Sequence, residues 1–202
     1  MVSILAALVL HSAFDESGAM PPAGYRAKSD LLDEKALGGY GASDNASWSM
    51  KDVDVTGKGV FLVVKKNACC MTKGGSCPMI LALANGNPDT VWFRAEDSRL
   101  AVGREAMDNK GVWRPIEFRA PSDCGNSYHR VALGGGRAWT WDVPSDNGPF
   151  ATKCRYVLYG LDKSVFSGEF DAKINAGMFL LPEEWSKGYE LKPDGSLSFR
   201  KG

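Results

Sequence analysis

From residue 52 onward the chain is cut every few residues by turn-forming sequence, which leaves no room for long helices. The strongest breaks are Gly134-Gly135-Gly136, Asp146-Asn147-Gly148, Asp162-Lys163 and Pro193-Asp194-Gly195. Glycine, asparagine and aspartate tolerate the backbone angles that reverse a strand. The intervening segments carry strand patterns. Val60–Val64 and Met79–Ala84 are continuous apolar runs, as expected of strands covered on both faces. Residues 90–95 alternate, with Val91, Phe93 and Ala95 on one side. Residues 112–118 place Val112, Ile116 and Phe118 together, and Pro115 makes that segment an edge or bulged strand. Segments 127–133, 137–143, 150–159, 164–172, 177–181 and 196–200 complete a set of about ten strands joined by hairpin-type turns. The pattern predicts an all-β protein, an antiparallel β-sandwich over residues 52–202.

The first fifty residues differ. Residues 1–10, MVSILAALVL, are apolar apart from Ser3, too short to span a bilayer but long enough for the core of a signal peptide. Residues 1–19 therefore read as a signal peptide or an apolar anchoring segment. No Lys or Arg precedes Arg26, so the usual positive start is missing. Residues 20–51 read as an irregular arm with one short helix at 29–37, capped by Ser29 and closed by Gly38-Gly39.

Five cysteines are present. In an oxidising compartment Cys124 pairs with Cys154, and Cys70 (or Cys69) with Cys77, leaving one thiol over. Buried free thiols in a reducing compartment are the alternative. The spacings do not suit zinc, and only His11 and His129 could complete a shell. Charge is balanced, 24 Lys and Arg against 24 Asp and Glu, without the basic excess of a nucleic-acid binder.

Catalytic patterns are sparse. His129 is the sole histidine beyond the leader, and Cys124 lies five residues before it. A Cys124–His129 pair competes with a bridged Cys124 and a His129 packed on a strand face. Glu169 and Asp171 share a strand face, as a glycosidase pair would. Glu96-Asp97 and Glu117 with Asp123 are weaker carboxylate pairs. Asp52 to Gly57 imitates a calcium loop, but Val63 stands where the bidentate Glu belongs. Gly134-Gly135-Gly136 lacks the spacing of a phosphate loop. No cofactor and no metal is implied.

Six tryptophans remain. Trp139 and Trp141 share a strand face continued by Val143, which reads as core. Trp92 falls opposite Val91 and Phe93, beside Arg94. Trp113 falls opposite Ile116, beside Glu117. Exposed flat rings next to polar groups are what a sugar stacks on, so Trp92, Arg94, Trp113 and Glu117 form a candidate ligand-binding set.

The runs Trp113-Arg114-Pro115-Ile116-Glu117, Cys124-Gly125-Asn126-Ser127-Tyr128-His129 and Phe150-Ala151-Thr152-Lys153-Cys154-Arg155-Tyr156 resemble a group of uncharacterised secreted bacterial proteins with an immunoglobulin-like β-sandwich. The resemblance spans residues 113–179, about a third of the chain. It implies secretion and a sandwich, and transfers no catalytic residues. The expected function is a non-enzymatic extracytoplasmic binding or assembly protein, in contact with other subunits of a surface complex or filament. A carbohydrate-binding module is the alternative, and a carboxylate-dependent glycoside hydrolase the second. Neither nucleic acid nor a membrane span is expected.

Overall fold

The computed structural model describes residues 24–66, 79–118, 125–180, 189–191 and 197–199. In chain order the strands are β1 (Trp48–Ser49), β2 (Val60–Lys66), β3 (Met79–Asn85), β4 (Val91–Glu96), β5 (Arg99–Leu100), β6 (Val102–Met107) and β7 (Trp113–Pro115). They continue with β8 (Tyr128–Leu133), β9 (Arg137–Val143), β10 (Phe150–Leu158), β11 (Val165–Phe166), β12 (Phe170–Ile174), β13 (Tyr189–Leu191) and β14 (Leu197–Phe199). All the strand pairs are antiparallel. Their sheets run β1-β9-β3-β2, β5-β4-β8, and β11-β10-β6-β7 with β12 also on β10; β13 and β14 pair separately. No helix among the described residues is long and apolar enough to cross a membrane.

The main core draws on three sheets. Leu62, Leu81, Leu83 and Trp139 meet Phe93, Val131 and Leu133, and then Val102, Tyr156 and Leu158. The arrangement is consistent with a sandwich. The apolar runs of β2 and β3 have the expected cause. Val60, Leu62 and Val64 face this core, while Phe61 and Val63 face a second cluster of Val55, Ala82, Ala84 and Ala138. Val91, Phe93 and Ala95 face inward together, as their alternation requires. Pro115 lies on β7, an edge strand, where its missing N–H breaks no ladder.

Two glycine-rich turns differ from expectation. They join strands of different sheets and close no hairpin. β8 pairs with β4, whereas β9 pairs with β3 and β1, so Gly134–Gly136 carries the chain from one sheet to the next. A Cβ on Gly135 would sit 2.1 Å from the Pro88 carbonyl oxygen. The buried Asn85 amide fixes the crossing by donating to the carbonyls of Asp89, Leu133 and Gly134. The turn at Asp146-Asn147-Gly148 likewise leads from β9 to β10 in another sheet. Asp162-Lys163 does join paired strands, β10 and β11.

Three local expectations are corrected. Residues 29–37 form no helix. Ser29 Oγ accepts the Ala132 N–H at 2.7 Å, and Asp33 accepts both the N–H and the guanidinium of Arg130. The capping side chains are engaged by β8, and Leu31, Leu32 and Leu37 stay exposed, so no apolar face would reward a helix. Segment 164–172 is split between β11 and β12, because Ser167 exchanges hydrogen bonds with the Tyr156 backbone through its own N–H and its Oγ. Residues 176–179 form a 3₁₀ turn capped by Asn175, in place of a strand at 177–181.

The arm is irregular in backbone but is built into the body. Ala27 N–H bonds the Ser98 carbonyl, Leu100 N–H bonds the Tyr25 carbonyl, and Asp30 N–H bonds the Ala132 carbonyl. Trp139 and Trp141 donate their indole N–H groups to the carbonyls of Lys28 and Arg26, at 2.9 and 2.8 Å. The Arg130 guanidinium holds the Asp33 carboxyl at about 2, down from 3.8. Asp33 therefore binds its proton more weakly in the fold than in the unfolded chain. This tie is fully formed above pH about 4 and is lost as pH falls toward 2. Acid titration should release residues 29–38 in that window, as new pepsin cleavage there. Asp33→Asn should show the same cleavage at pH 5, where another protease of acid tolerance reads it.

Candidate functional site

The four expected ligand residues do not form one site. Trp92 and Arg94 lie on β4, and Trp113 lies on β7 of another sheet. The Arg130 guanidinium stacks 4.9 Å from the Trp92 ring centre. Arg155 stacks between Trp113 and Phe166, 4.2 Å from each, and is held by Glu105. Each tryptophan thus carries a cation on a flat face that a sugar would need. Glu117 is corrected outright. The chain turns inward after Pro115, and Glu117 is 5% exposed, away from the Trp113 surface.

Glu117 belongs to a buried charge centre. Tyr25 OH donates to its Oε2 at 2.7 Å, and Arg104 Nε lies 3.3 Å from its Oε1. Arg104, 2% exposed, also makes a two-pronged contact with Asp146, at 2.5 and 3.3 Å. Burial opposes the Arg104 charge, but Tyr156, Glu117 and Asp146 outweigh it, so its pKa moves upward. Burial also raises the Glu117 carboxyl, against the pull of Arg104. The Tyr156 hydroxyl is buried without a hydrogen-bond partner among the described residues. With Arg104, Glu117, Tyr25 and Tyr156 buried and Asp146 at the partly exposed rim, this centre supports structure.

His129 packs inside with Val131 and Leu133, under the stacked ring of Tyr40 at 3.7 Å. Its Nδ1 lies 3.1 Å from the Ser127 carbonyl, and its Nε2 3.3 Å from Ser98 Oγ. Sequence spacing gave no hint of Ser98, which follows Asp97 in a tight turn with both residues at positive φ. Both Ser98 and His129 are buried, so the pair braces the arm over β8. Glu169 and Asp171 are exposed, and Asp171 pairs with Lys153 at 2.8 Å across the β10–β12 ladder.

Cys154, expected in a bridge to Cys124, is a free buried thiol on β10. Cys124, Cys70, Cys77 and the apolar residues 1–10 lie outside the described residues. Burial pushes the Cys154 thiol up to about 12.

Among the described residues a cleft of about 530 Å³ opens between the arm and β9. One wall is Gly24–Arg26, another Ala42–Asn45, and the floor is Thr140–Pro144. Asn45 pins the walls together by donating to the carbonyls of Arg26 and Thr140, at 3.0 and 3.1 Å. Trp141 lines the cleft, with Tyr25 edge-on to it at 5.8 Å. Asp44 and Asp142 are exposed there, without ion pairs among the described residues. The Arg26 Nε is buried without a hydrogen-bond partner among the described residues. Arg26, Asp44, Asn45 and Asp142 carried no sequence signal, because the arm's path over β9 depends on indole N–H bonds between residues over a hundred apart. No family model, no curated protein and no solved structure matches the chain.

Two outcomes follow from the buried groups. Arg104→Met strands two carboxylates and should cost about 3–5 kcal/mol in denaturant unfolding. Adding Glu117→Gln and Asp146→Asn should recover a large part of that loss. Cys154 should stay unreactive toward an aromatic disulfide reagent at pH 8, and react only once denaturant opens the core.

Proposed function

We propose that the chain is a non-enzymatic extracytoplasmic binding or assembly protein, an immunoglobulin-like sandwich that engages a partner subunit at the cleft between its arm and β9. The carrying observation is the cleft itself. It is a solvent-open recess, fixed by Asn45 and lined by backbone, an aromatic ring and unpaired charges. Such a mix of apolar surface and unmet polar groups suits binding. Of the candidate catalytic groups, His129, Glu96 and Glu117 are buried, and Glu169 and Asp171 stand exposed, with Asp171 paired to Lys153. Export rests on residues 1–10 and on the resemblance over residues 113–179; the free Cys154 lends it no support.

A second reading keeps the ligand a carbohydrate but moves it. Trp92 and Trp113 have stacked arginines, whereas Trp141 lines the cleft beside Asn45, Thr140 and Asp44.

A native mass spectrum of the protein from its own source, without reductant, tests the proposal. A chain travelling with other subunits is the expected result, with the complex dissociating in an Asp44→Arg, Asp142→Arg double variant. A monomer whose tryptophan fluorescence responds to a soluble polysaccharide would overturn the subunit reading in favour of the carbohydrate one.

A further inference from the structure

We infer that β9 accepts an extended peptide segment as an added strand, one in which apolar and basic side chains alternate. The inference rests on the binding function proposed for the cleft and names its occupant.

The backbone carries the first step. β9 pairs with β3 along its whole length, from Arg137↔Asn85 to Val143↔Met79. On its other edge β1 reaches only Arg137 and Ala138. The carbonyls of Gly136 and Thr140 point to that other edge, since Met50 N–H and the Asn45 amide bond them there. Backbone groups alternate sides along a strand, so the N–H and C=O of Asp142 point the same way. No described residue bonds them on that side. Thr140 to Pro144 are also the residues that floor the cleft. Asn45 already caps Thr140, so the available ladder is short and centred on Asp142.

Side-chain alternation carries the second step. Trp141 and Val143 belong to the apolar core face of β9. Thr140 and Asp142 lie on its opposite face. A strand laid beside β9 alternates in step with it. Its residues next to Trp141 and Val143 meet apolar surface, and those next to Asp142 meet a carboxylate. Asp44 stands on the facing wall, so two unpaired carboxylates outnumber the one cation, Arg26. The complementary segment carries Lys or Arg at the alternate positions.

The probe is the heptapeptide acetyl-Thr-Val-Lys-Val-Lys-Val-Thr-amide, titrated into the full chain and followed by calorimetry and tryptophan fluorescence. Two analogues accompany it, one N-methylated at alternate residues and one with Glu for each Lys. Binding of the parent peptide is expected, with N-methylation weakening it at least about tenfold through lost main-chain bonds. Asp142→Pro removes the outward N–H and should weaken it similarly. Asp142→Asn keeps the N–H, so it should lose only the charge contribution, and that difference should vanish in high salt. Equal affinity for the N-methylated or the Glu analogue would overturn the inference, and so would unchanged binding by Asp142→Pro. If Asp142→Pro fails to fold, the N-methylated analogue on the parent protein still decides. No peptide binding, with a subunit bound in the native spectrum, overturns the added strand alone. No binding of peptide, subunit or glycan overturns the proposed function as well.

Discussion

The guanidinium of Arg104 is the interaction on which the rest of the structure depends. It is a permanent charge placed where water does not reach, and such a charge survives only if the fold surrounds it with compensating groups. Those groups come from segments far apart in sequence. Asp146 comes from the connection between β9 and β10, Glu117 from the chain leaving β7, and Tyr25 from the arm through Glu117. The β9 sheet, the β10 sheet and the arm are thereby registered against one polar centre inside an apolar body. Apolar packing alone tolerates small slips, whereas a two-pronged Arg–carboxylate contact fixes direction as well as distance.

The arm is the second dependency. A β-sheet face buried by irregular chain needs partners for the backbone of that chain. Here backbone groups of Ser98, Leu100 and Ala132 supply some, and side chains tie the rest in both directions. The indoles of Trp139 and Trp141 bond the carbonyls of Lys28 and Arg26, Ser29 and Asp30 bond the N–H groups of Ala132 and Gly134, and Asp33 bonds Arg130. The arm thus joins β8 and β9, which belong to different sheets, and closes the gap that the Gly134–Gly136 crossing opens. Two carboxylates tied to the arm, Asp33 on it and Glu117 bonded by Tyr25, respond to acid in opposite directions. Asp33 supports the fold when ionised. Glu117 holds its proton more tightly in the fold than in the unfolded chain, so its contribution is greatest at low pH and declines as pH rises through its raised pKa.

Strand positions were legible in the sequence because they follow from local alternation. β9 matches its expected residues, and the two-faced character of β2 and β3 was readable from runs such as Val60–Val64. Partners were not legible. A glycine-rich turn looks alike whether it closes a hairpin or crosses between sheets, and only the Asn85 amide and the Pro88 carbonyl make Gly134–Gly136 a crossing. The helix signal at Ser29 failed for a related reason. Ser29 and Asp33 are good capping residues, and β8 uses them instead. The candidate ligand set failed at Glu117 because strand alternation was carried past Pro115, where β7 ends. Trp92 and Trp113 carry arginines from other strands, Arg130 from β8 beside β4 and Arg155 from β10, two strands away from β7. Of the cleft, the sequence marks Trp141 and Val143, and it marks them as one core face. The Trp141 ring meets core and cleft, since the core lies on one side of it and the recess between the arm segments on the other.

The open stretch of β9 is unusual for the position it holds. A sheet edge with unmet backbone groups invites uncontrolled pairing, and proteins normally blunt it with a bulge, a proline, a charge or a cover. The arm could have supplied the cover, since residues 42–45 already run alongside. They approach as far as Asn45, whose side chain caps Thr140, and the Asp142 backbone has no partner on that edge among the described residues, while β9 ends at Val143 before Pro144. Two carboxylates flank the gap. They repel acidic or carboxylate-rich segments and leave the edge open to basic ones. A cover that stops one residue short, guarded by charge of one sign, restricts pairing without abolishing it. That arrangement has little purpose in a chain that needs only to bury its edges, and a clear one in a chain that admits a particular kind of neighbour.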